Sequence, residues 1–395
     1  MLLLAAAPLL AAAPERDPGP EIAARAVAVL RARAAALPGP GLLRSYDVRT
    51  GADATDFDRV HANCAYSYDN AVAGLALLAA GETMLARRLG DAFLAAQAAD
   101  RFWRDGRLRN AYAAGPVSRP AALPGWWDAA SGQWLEDGYQ AGSATGVIAW
   151  IMLFWLALRA RTGDITYEAA ANRAADWVET TQRAARGYTG GTLGFEPAPV
   201  RLSWTSTEHN LDLFVAFRGL GRAAAAAHAR DFVASMWSAP ERRFFSGLTP
   251  EGAPNPHSAV DANLWPLLAP DPDPAWTPAL DWVLTRHGLP AETPEGVDFN
   301  TDRDGIWLEG TAITALALRR AGRAVAARRL TRTLAGQFSP GGLVFATTTP
   351  RLTTGLSTGL DQTAPDFLYF RRPHLAATAW TALAGLGADP LRLAT

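Results

Sequence analysis

Two kinds of helical pattern alternate along this chain, six of each, and that alternation constrains its fold more than any other feature. The stretches 21–36, 83–100, 168–185, 222–237, 276–287 and 323–337 are rich in Ala, Leu and Arg. Each shows a polar face at the 3.6-residue period of a surface helix. After each comes a Gly-containing turn with a short β-prone stretch, then a variable loop, then a nearly all-apolar helical pattern. These second patterns cover 69–80, 143–160, 208–220, 260–268, 306–320 and 374–386. Gly81, Gly163, Gly221, Gly322 and Gly387 stand where helix C-caps are expected. A helix that is apolar all round must be covered all round. Six such helices alternating with six amphipathic ones predict a closed double ring, apolar inside and amphipathic outside. The expected fold is therefore all-α, an (α/α)6 toroid with short β-like loops on one rim. It would form one domain over residues 20–390, with 21–36 closing the ring against 374–386. The Pro-rich pieces at 116–125, 266–278 and 290–294 read as connections inside the repeat, not as interdomain linkers.

Two apolar segments bear on location. Residues 1–13 run from Met1-Leu2-Leu3-Leu4 into Ala11-Ala12-Ala13 before Pro14, which reads as a signal or leader segment. The expectation is a periplasmic or secreted protein, or a cytoplasmic one if the segment is not a signal. The uninterrupted apolar run Val147–Leu158 is shorter than the roughly 18–20 residues that cross a bilayer, so no membrane span is expected.

Charge and residue usage remove several chemistries. With 37 basic and 38 acidic residues the net charge is −1, so nothing favours nucleic acid or an anionic membrane as partner. Every basic residue is Arg, which excludes a Schiff-base lysine and the P-loop lysine. Cys64 is the single cysteine, so neither an intramolecular disulfide nor a multi-Cys zinc site can form.

In a ring of this kind the inner helices start at one rim, and the long loops before them build a cleft there. The six starts hold Tyr68-Asp69-Asn70, Trp134-Leu135-Glu136-Asp137, Trp204-Thr205-Ser206-Thr207-Glu208-His209-Asn210, His257-Ser258-Ala259-Val260-Asp261, Asp304-Gly305-Ile306-Trp307-Leu308-Glu309-Gly310 and Arg371-Arg372-Pro373-His374. Five of them carry a carboxylate. Seven of the 14 Trp residues, at 103, 126, 127, 134, 204, 265 and 307, fall in loops or helix starts. Aromatic faces beside carboxylates suit a sugar, whose apolar ring face stacks while its hydroxyls meet the acids. Each acid also has a structural reading. Glu208 lies three residues after Thr205 and Asp261 three after Ser258, the spacing of capping boxes. Asp69 could cap its own helix, and Glu309 in a first turn is favoured by the macrodipole. Helix capping alone explains five carboxylates on one rim less readily than it explains any one of them.

On Tyr68-Asp69-Asn70-Ala71, Ser206-Thr207-Glu208-His209-Asn210-Leu211-Asp212 and Ile306-Trp307-Leu308-Glu309-Gly310-Thr311-Ala312, together with the repeat array, the chain resembles the six-hairpin glycosidase superfamily. The resemblance singles out no one family within it. It implies hydrolysis of a glycosidic bond by two carboxylates acting on a carbohydrate substrate. Glu309 is the expected acid and Asp69 the expected base, with Glu208 a near-equal rival for either role. Tyr68, Trp126, Trp127, Trp134, Trp204, His209, Asn210, Asp261, Trp265, Trp307 and His374 are the expected substrate-binding residues. Gly310 beside Glu309 would leave room for a ligand.

Three other functions fit the same rim. A sugar epimerase would pair two of His209, His257 and His374 as acid and base. A polysaccharide lyase would cast Tyr68, His209, Asn210 and Arg371 around a uronate. A glycan-binding protein would keep the aromatic rim without catalysis. No cofactor is called for; the weak alternative is calcium at Asp298, Asn300, Asp302 and Asp304, which alternate as oxygen ligands do. Gly355-Leu356-Ser357-Thr358-Gly359 matches a nucleophile-elbow pattern in letters, but no strand before it and no helix after it is expected.

Overall fold

A computed structural model describes residues 17–289, 294–357 and 366–393; the leader at 1–13, all but the last residue of the Pro-rich piece at 290–294, and Thr358 and Gly359 lie outside them. Twelve helices follow the alternation. The odd-numbered ones are α1 (Gly19–Ala36), α3 (Thr83–Ala98), α5 (Ile165–Trp177), α7 (Ala223–Ser235), α9 (Pro278–Arg286) and α11 (Ala324–Ala335). The even-numbered ones are α2 (Ser67–Ala79), α4 (Thr145–Thr162), α6 (Thr207–Gly219), α8 (Val260–Leu268), α10 (Leu308–Arg320) and α12 (Leu375–Leu386). Each even helix packs on the next, and α12 packs on α2, so the inner ring closes. The odd helices sheathe it, with α1 against α12 as the sixth hairpin.

Burial explains the two compositions. In α4 every residue from Ile148 to Leu158 is buried, because neighbours lie on both flanks and an outer helix behind. This is the one described helix long and apolar enough to cross a membrane, and it is largely enclosed by the ring. Close approach is written into the small residues. A Cβ on Gly74 of α2 would lie 2.1 Å from the Phe154 ring of α4, so a methyl there would push the two helices apart. Five inner helices end at a glycine with φ between 68° and 84°: Gly81, Gly163, Gly221, Gly322 and Gly387. After α8 the longer connection uses Asp271 at φ 53° instead, beside Arg218.

Short strands lead into the inner helices. Strand β1 (Cys64–Tyr66) pairs with β2 (Ala111–Ala113), and β3 (Trp126–Asp128) pairs with β4 (Gln133–Leu135). A five-stranded sheet contains β5 (Ser143–Ala144), β6 (Thr189–Leu193), β7 (Val200–Ser206), β8 (Gly247–Leu248) and β9 (Pro254–Asn255), in the order β9-β8-β7-β6-β5. The last hairpin joins β10 (Arg351–Ser357) to β11 (Asp366–Phe370).

One device recurs around the rim. A polar side chain near the start of an inner helix accepts a backbone N–H from the loop before it. The bonds are Leu43 N to Asn70 (2.7 Å), Tyr188 N to Asn210 (2.7 Å), Phe244 N to Asn263 (2.9 Å), Val297 N to Thr311 (3.2 Å) and Val344 N to Thr378 (2.8 Å). A buried ion pair, Arg372 to both oxygens of Asp58 at 2.7 Å each, ties the last rim loop to the first. The rim is thus pinned to the inner ring.

Candidate active site

Four carboxylates occupy the first turn of an inner helix: Asp69 on α2, Glu208 on α6, Asp261 on α8 and Glu309 on α10. None caps its helix. At α6 the cap is Ser206, whose hydroxyl accepts the His209 N–H, so the Thr205–Glu208 box does not form. At α8 the Ser258 hydroxyl bonds His287 instead, and Asp261 accepts the Ala262 N–H at 2.7 Å. The α2 and α10 termini have no side-chain cap. Asp69, Asp261 and Glu309 are buried and Glu208 is half-buried.

Glu309 is 2% exposed. The Tyr68 hydroxyl donates to its Oε1 at 2.6 Å and itself accepts the Trp380 indole N–H at 2.8 Å. Oε2 has no hydrogen-bond partner. Burial pushes the carboxyl up to about 7, with the charges of Asp69 and Asp261 adding to the rise and His374 and the Tyr68 bond opposing it. Next to it, His374 at the N-terminus of α12 places Nε2 3.2 Å from Asp69 Oδ2. The Tyr46 ring stacks on the imidazole at 4.4 Å and 8°.

Glu208 and Asp261 lie on α6 and α8. Burial drives Glu208 well above the usual carboxylate range, reinforced by Asp261, Asp212 and Glu309. Asp261 is raised by burial to about 6. One turn below Glu208, Asp212 is wholly buried, and neither of its oxygens has a hydrogen-bond partner. The indole N–H of Trp150, which adjoins it, completes no hydrogen bond. The floor is a triangle of indoles, with Trp150 5.1 Å from Trp265, 5.8 Å from Trp380, and Trp265 6.2 Å from Trp380.

Several expected binding residues stand elsewhere. Asn210 is fully buried; its amide donates to Tyr188 O and Ser206 O and accepts the Tyr188 N–H, so it is a strut between the rim loop and α6. Trp265 lies mid-helix in the floor at 1% exposure, not at a helix start. Trp307 is 2% exposed and folds back on Gly310, whose added Cβ would sit 2.2 Å from the indole. The room expected at Gly310 is filled by Trp307 itself. Trp204 lies over Gly190, 5.5 Å from His209. His209 bonds Thr145 through Nδ1 at 3.1 Å, and burial lowers it to about 4. Trp127 and Trp134 are directly opposed on the β3–β4 hairpin and exposed, with Trp126 half-buried beside them. That hairpin is fastened to the rim by the Gly125 N–H on Asn63.

The chain order conceals other members of the site: Tyr46, Tyr139, Trp150, Asp212, Tyr369 and Trp380. Tyr139 and Tyr369 are each acted on by site carboxylates, Tyr139 by Glu208 and Asp69, Tyr369 by Glu309, Asp69 and Asp261. Phe367 links their rings, at 6.4 and 5.4 Å. The remaining rim acids are structural. Glu136 is held by Arg101 and Asp137 caps the turn Gly138–Ala141.

Asp298, Asp302 and Asp304 do gather, with carboxylate oxygens within 4.8 Å of one another. Asp298 accepts the Phe299 and Asp304 N–H groups at 2.6 and 2.8 Å. The Thr353 hydroxyl lies 2.7 Å from Asp302 and 2.8 Å from Asp304. Burial and these neighbours raise Asp298 to about 8, so a proton shared with Asp302 relieves the repulsion. With Asn300 also bonded to Asp302, these contacts pin β10 to the loop and account for the cluster.

The same architecture is found in solved structures. A glycosidase variant in complex with glucose matches at TM-score 0.59 and 16% identity, over 95% of this chain and 97% of that one. The cellobiose 2-epimerase from Spirochaeta thermophila DSM 6192 matches at 0.62 and 14%, over 93% and 95%. A novel alpha-amylase from Clostridium perfringens matches at 0.60 and 10%, over 93% and 97%. No protein-family model and no curated protein matches the chain. At these identities the likeness establishes the fold: the chain is a six-hairpin (α/α)6 toroid.

Proposed function

We propose that the chain is a glycoside hydrolase, cleaving an oligo- or polysaccharide by carboxylate acid–base catalysis in the mouth of the inner ring. The observation that carries the reading is Glu309: a buried carboxyl raised to about 7, fixed at one oxygen by Tyr68 and free at the other. A group of that kind still holds its proton near neutrality, as a general acid must. Glu309 donates that proton to the glycosidic oxygen as the anomeric C–O bond breaks. Asp69, gripped by His374 and backed by Tyr46, activates the incoming water or attacks the anomeric carbon. Glu208, also raised, is a second candidate for acid. Fold neighbours that are mostly hydrolases agree with this.

The neighbour that is an epimerase makes paired imidazoles the reading to beat. Here the three candidate histidines have different partners: His374 on Asp69, His209 on Thr145, and His257 with its Nε2 unpartnered near Asp302 and Asp366. A lyase would need Asn210 and Arg371 at a uronate, whereas Asn210 is a strut and Arg371 stacks on Phe345. Export to the periplasm or beyond is proposed from residues 1–13, and fractionation of expressing cells tests it.

The deciding experiment incubates the purified protein with a polysaccharide panel. New reducing ends, absorbance of unsaturated uronates and solvent deuterium exchange at sugar carbons are followed together. Reducing ends without the other two signals are expected. Unsaturation or exchange alone would replace this function with a lyase or an epimerase.

A further inference from the structure

The β3–β4 hairpin carries two tryptophans that the fold leaves uncovered. Trp127 and Trp134 are directly opposed across the antiparallel pair, so both indoles stand on one face, 61% and 53% exposed. Trp126 and Leu135, opposed on the other face, are half-buried. A single exposed aromatic is ordinary, whereas a paired patch of them is informative. The hairpin is also stiff. Asp128 accepts the Ser131 N–H and hydroxyl, and Gly132, at φ 66°, donates its N–H to Asp128 O at 2.9 Å. A Cβ on Gly125 would lie 2.5 Å from Trp134 Nε1, so the bare backbone there gives that indole its bed. Arg101 holds the base, bonding Glu136 at 2.7 and 2.8 Å and Glu196 as well. The same guanidinium thereby brings the exposed Phe195 to the base of the hairpin.

The aromatic surface continues toward the acids. Tyr139, also exposed, follows Trp134 by five residues, which limits their Cα separation to about 18 Å. Phe367 lies 6.4 Å from Tyr139, Tyr369 5.4 Å from Phe367, and the His374 ring that holds Asp69 6.1 Å from Tyr369. One pyranose covers one ring, so a row of rings takes a chain. Two half-exposed indoles offer roughly 200 Å², well short of the roughly 800 Å² each partner gives to a stable protein interface. The segment 125–139 holds Asp128, Glu136 and Asp137 and no basic residue, which disfavours a polyanion.

We infer that the outer face of the β3–β4 hairpin is a second glycan-binding platform, for a neutral polysaccharide whose chain continues over Tyr139 and Phe367 to the mouth. The course toward the acids rests on the glycosidase reading and deepens it; the platform itself is tested by binding.

The test is native electrophoresis through gels containing hydroxyethylcellulose, soluble starch, galactomannan or polygalacturonate. The full chain carries Glu309→Gln so that no polymer is cut. Retardation by at least one neutral polymer and none by polygalacturonate is expected. Adding Trp127→Ala and Trp134→Ala together should weaken that retardation about tenfold, whereas Trp127→Tyr with Trp134→Tyr should keep most of it. Both pairs should melt with the parent, since the indoles are exposed. No retardation by any neutral polymer, equal retardation in the alanine pair, or retardation by polygalacturonate instead overturns the platform. So does a parent that sediments as a dimer and an alanine pair that does not, which would make the face a contact between copies. Retardation by a polymer from which the unsubstituted chain releases no reducing ends keeps the platform and removes hydrolysis. Hydrolysis without retardation removes the platform alone.

Discussion

The two sides of the ring mouth are built from the same parts and wired differently. On the side of α2, α10 and α12, each acid has a dedicated partner: Glu309 has Tyr68, itself held by Trp380, and Asp69 has His374, itself stacked on Tyr46. On the side of α6 and α8, the charges of Asp261 and Asp212 act on Glu208, and the buried Asp212 makes no close hydrogen bond. Partners fix an acid in place and set when it gives up a proton, which is what catalysis needs. The difference separates partnered acids from acids raised mainly by burial within one ring.

Breaking the partnered side should have the largest effect. Glu309→Gln keeps the shape and the Tyr68 contact but cannot donate a proton. Its kcat is expected to fall about a thousandfold with Tm preserved, measured by reducing-end release and thermal melting. Activity near the parental level would move the acid to Glu208. Tyr68→Phe is milder. The Tyr68 bond favours the charged form of Glu309, so its loss should raise that carboxyl further. The alkaline limb of kcat against pH should move up accordingly. A limb that stays put, or moves down, would show that Tyr68 does not tune the acid.

The unpartnered side is sharpened by stability. Asp261 sits near 6 in the fold, above its ordinary value of about 3.8. The folded state then holds a proton that the unfolded chain has lost, so stability falls as pH rises from about 4 to 6. Asp261→Asn should flatten that part of the Tm–pH curve; an unchanged slope would place the titration elsewhere. The smallest effect belongs to the outer hairpin. Trp134→Ala should raise KM for a long glycan a few-fold and leave kcat alone, with Trp127 behaving alike. A fall in kcat would bring the hairpin into the reacting centre.

How much of this was legible in the chain follows from the range of the forces involved. The twelve helices are set by local periodicity, so their patterns located every one, down to the glycines that end five inner helices. The acids at the helix starts were legible for the same reason. Their roles were not. Thr205 and Ser258 stand at capping-box spacing, yet Ser206 takes one cap and His287 claims the Ser258 hydroxyl from 29 residues away. Asn210 reads like a ligand residue because its strut partner, Tyr188, is 22 residues upstream. Asp212 and Trp150 are embedded in apolar helices, where pattern marks them only as core. Tyr46, Tyr139 and Tyr369 come from a loop, a short helix and a late strand, and only ring closure brings them to the mouth.

The most direct measurement is the titration of Glu309 itself, following the side-chain carboxyl carbon by NMR and assigning it with Glu309→Gln. The expected midpoint is about 7, with the kcat profile losing its alkaline limb at the same pH. A midpoint near 4.3, the ordinary value for a glutamate, would contradict the account, because Glu309 would then have no proton to give.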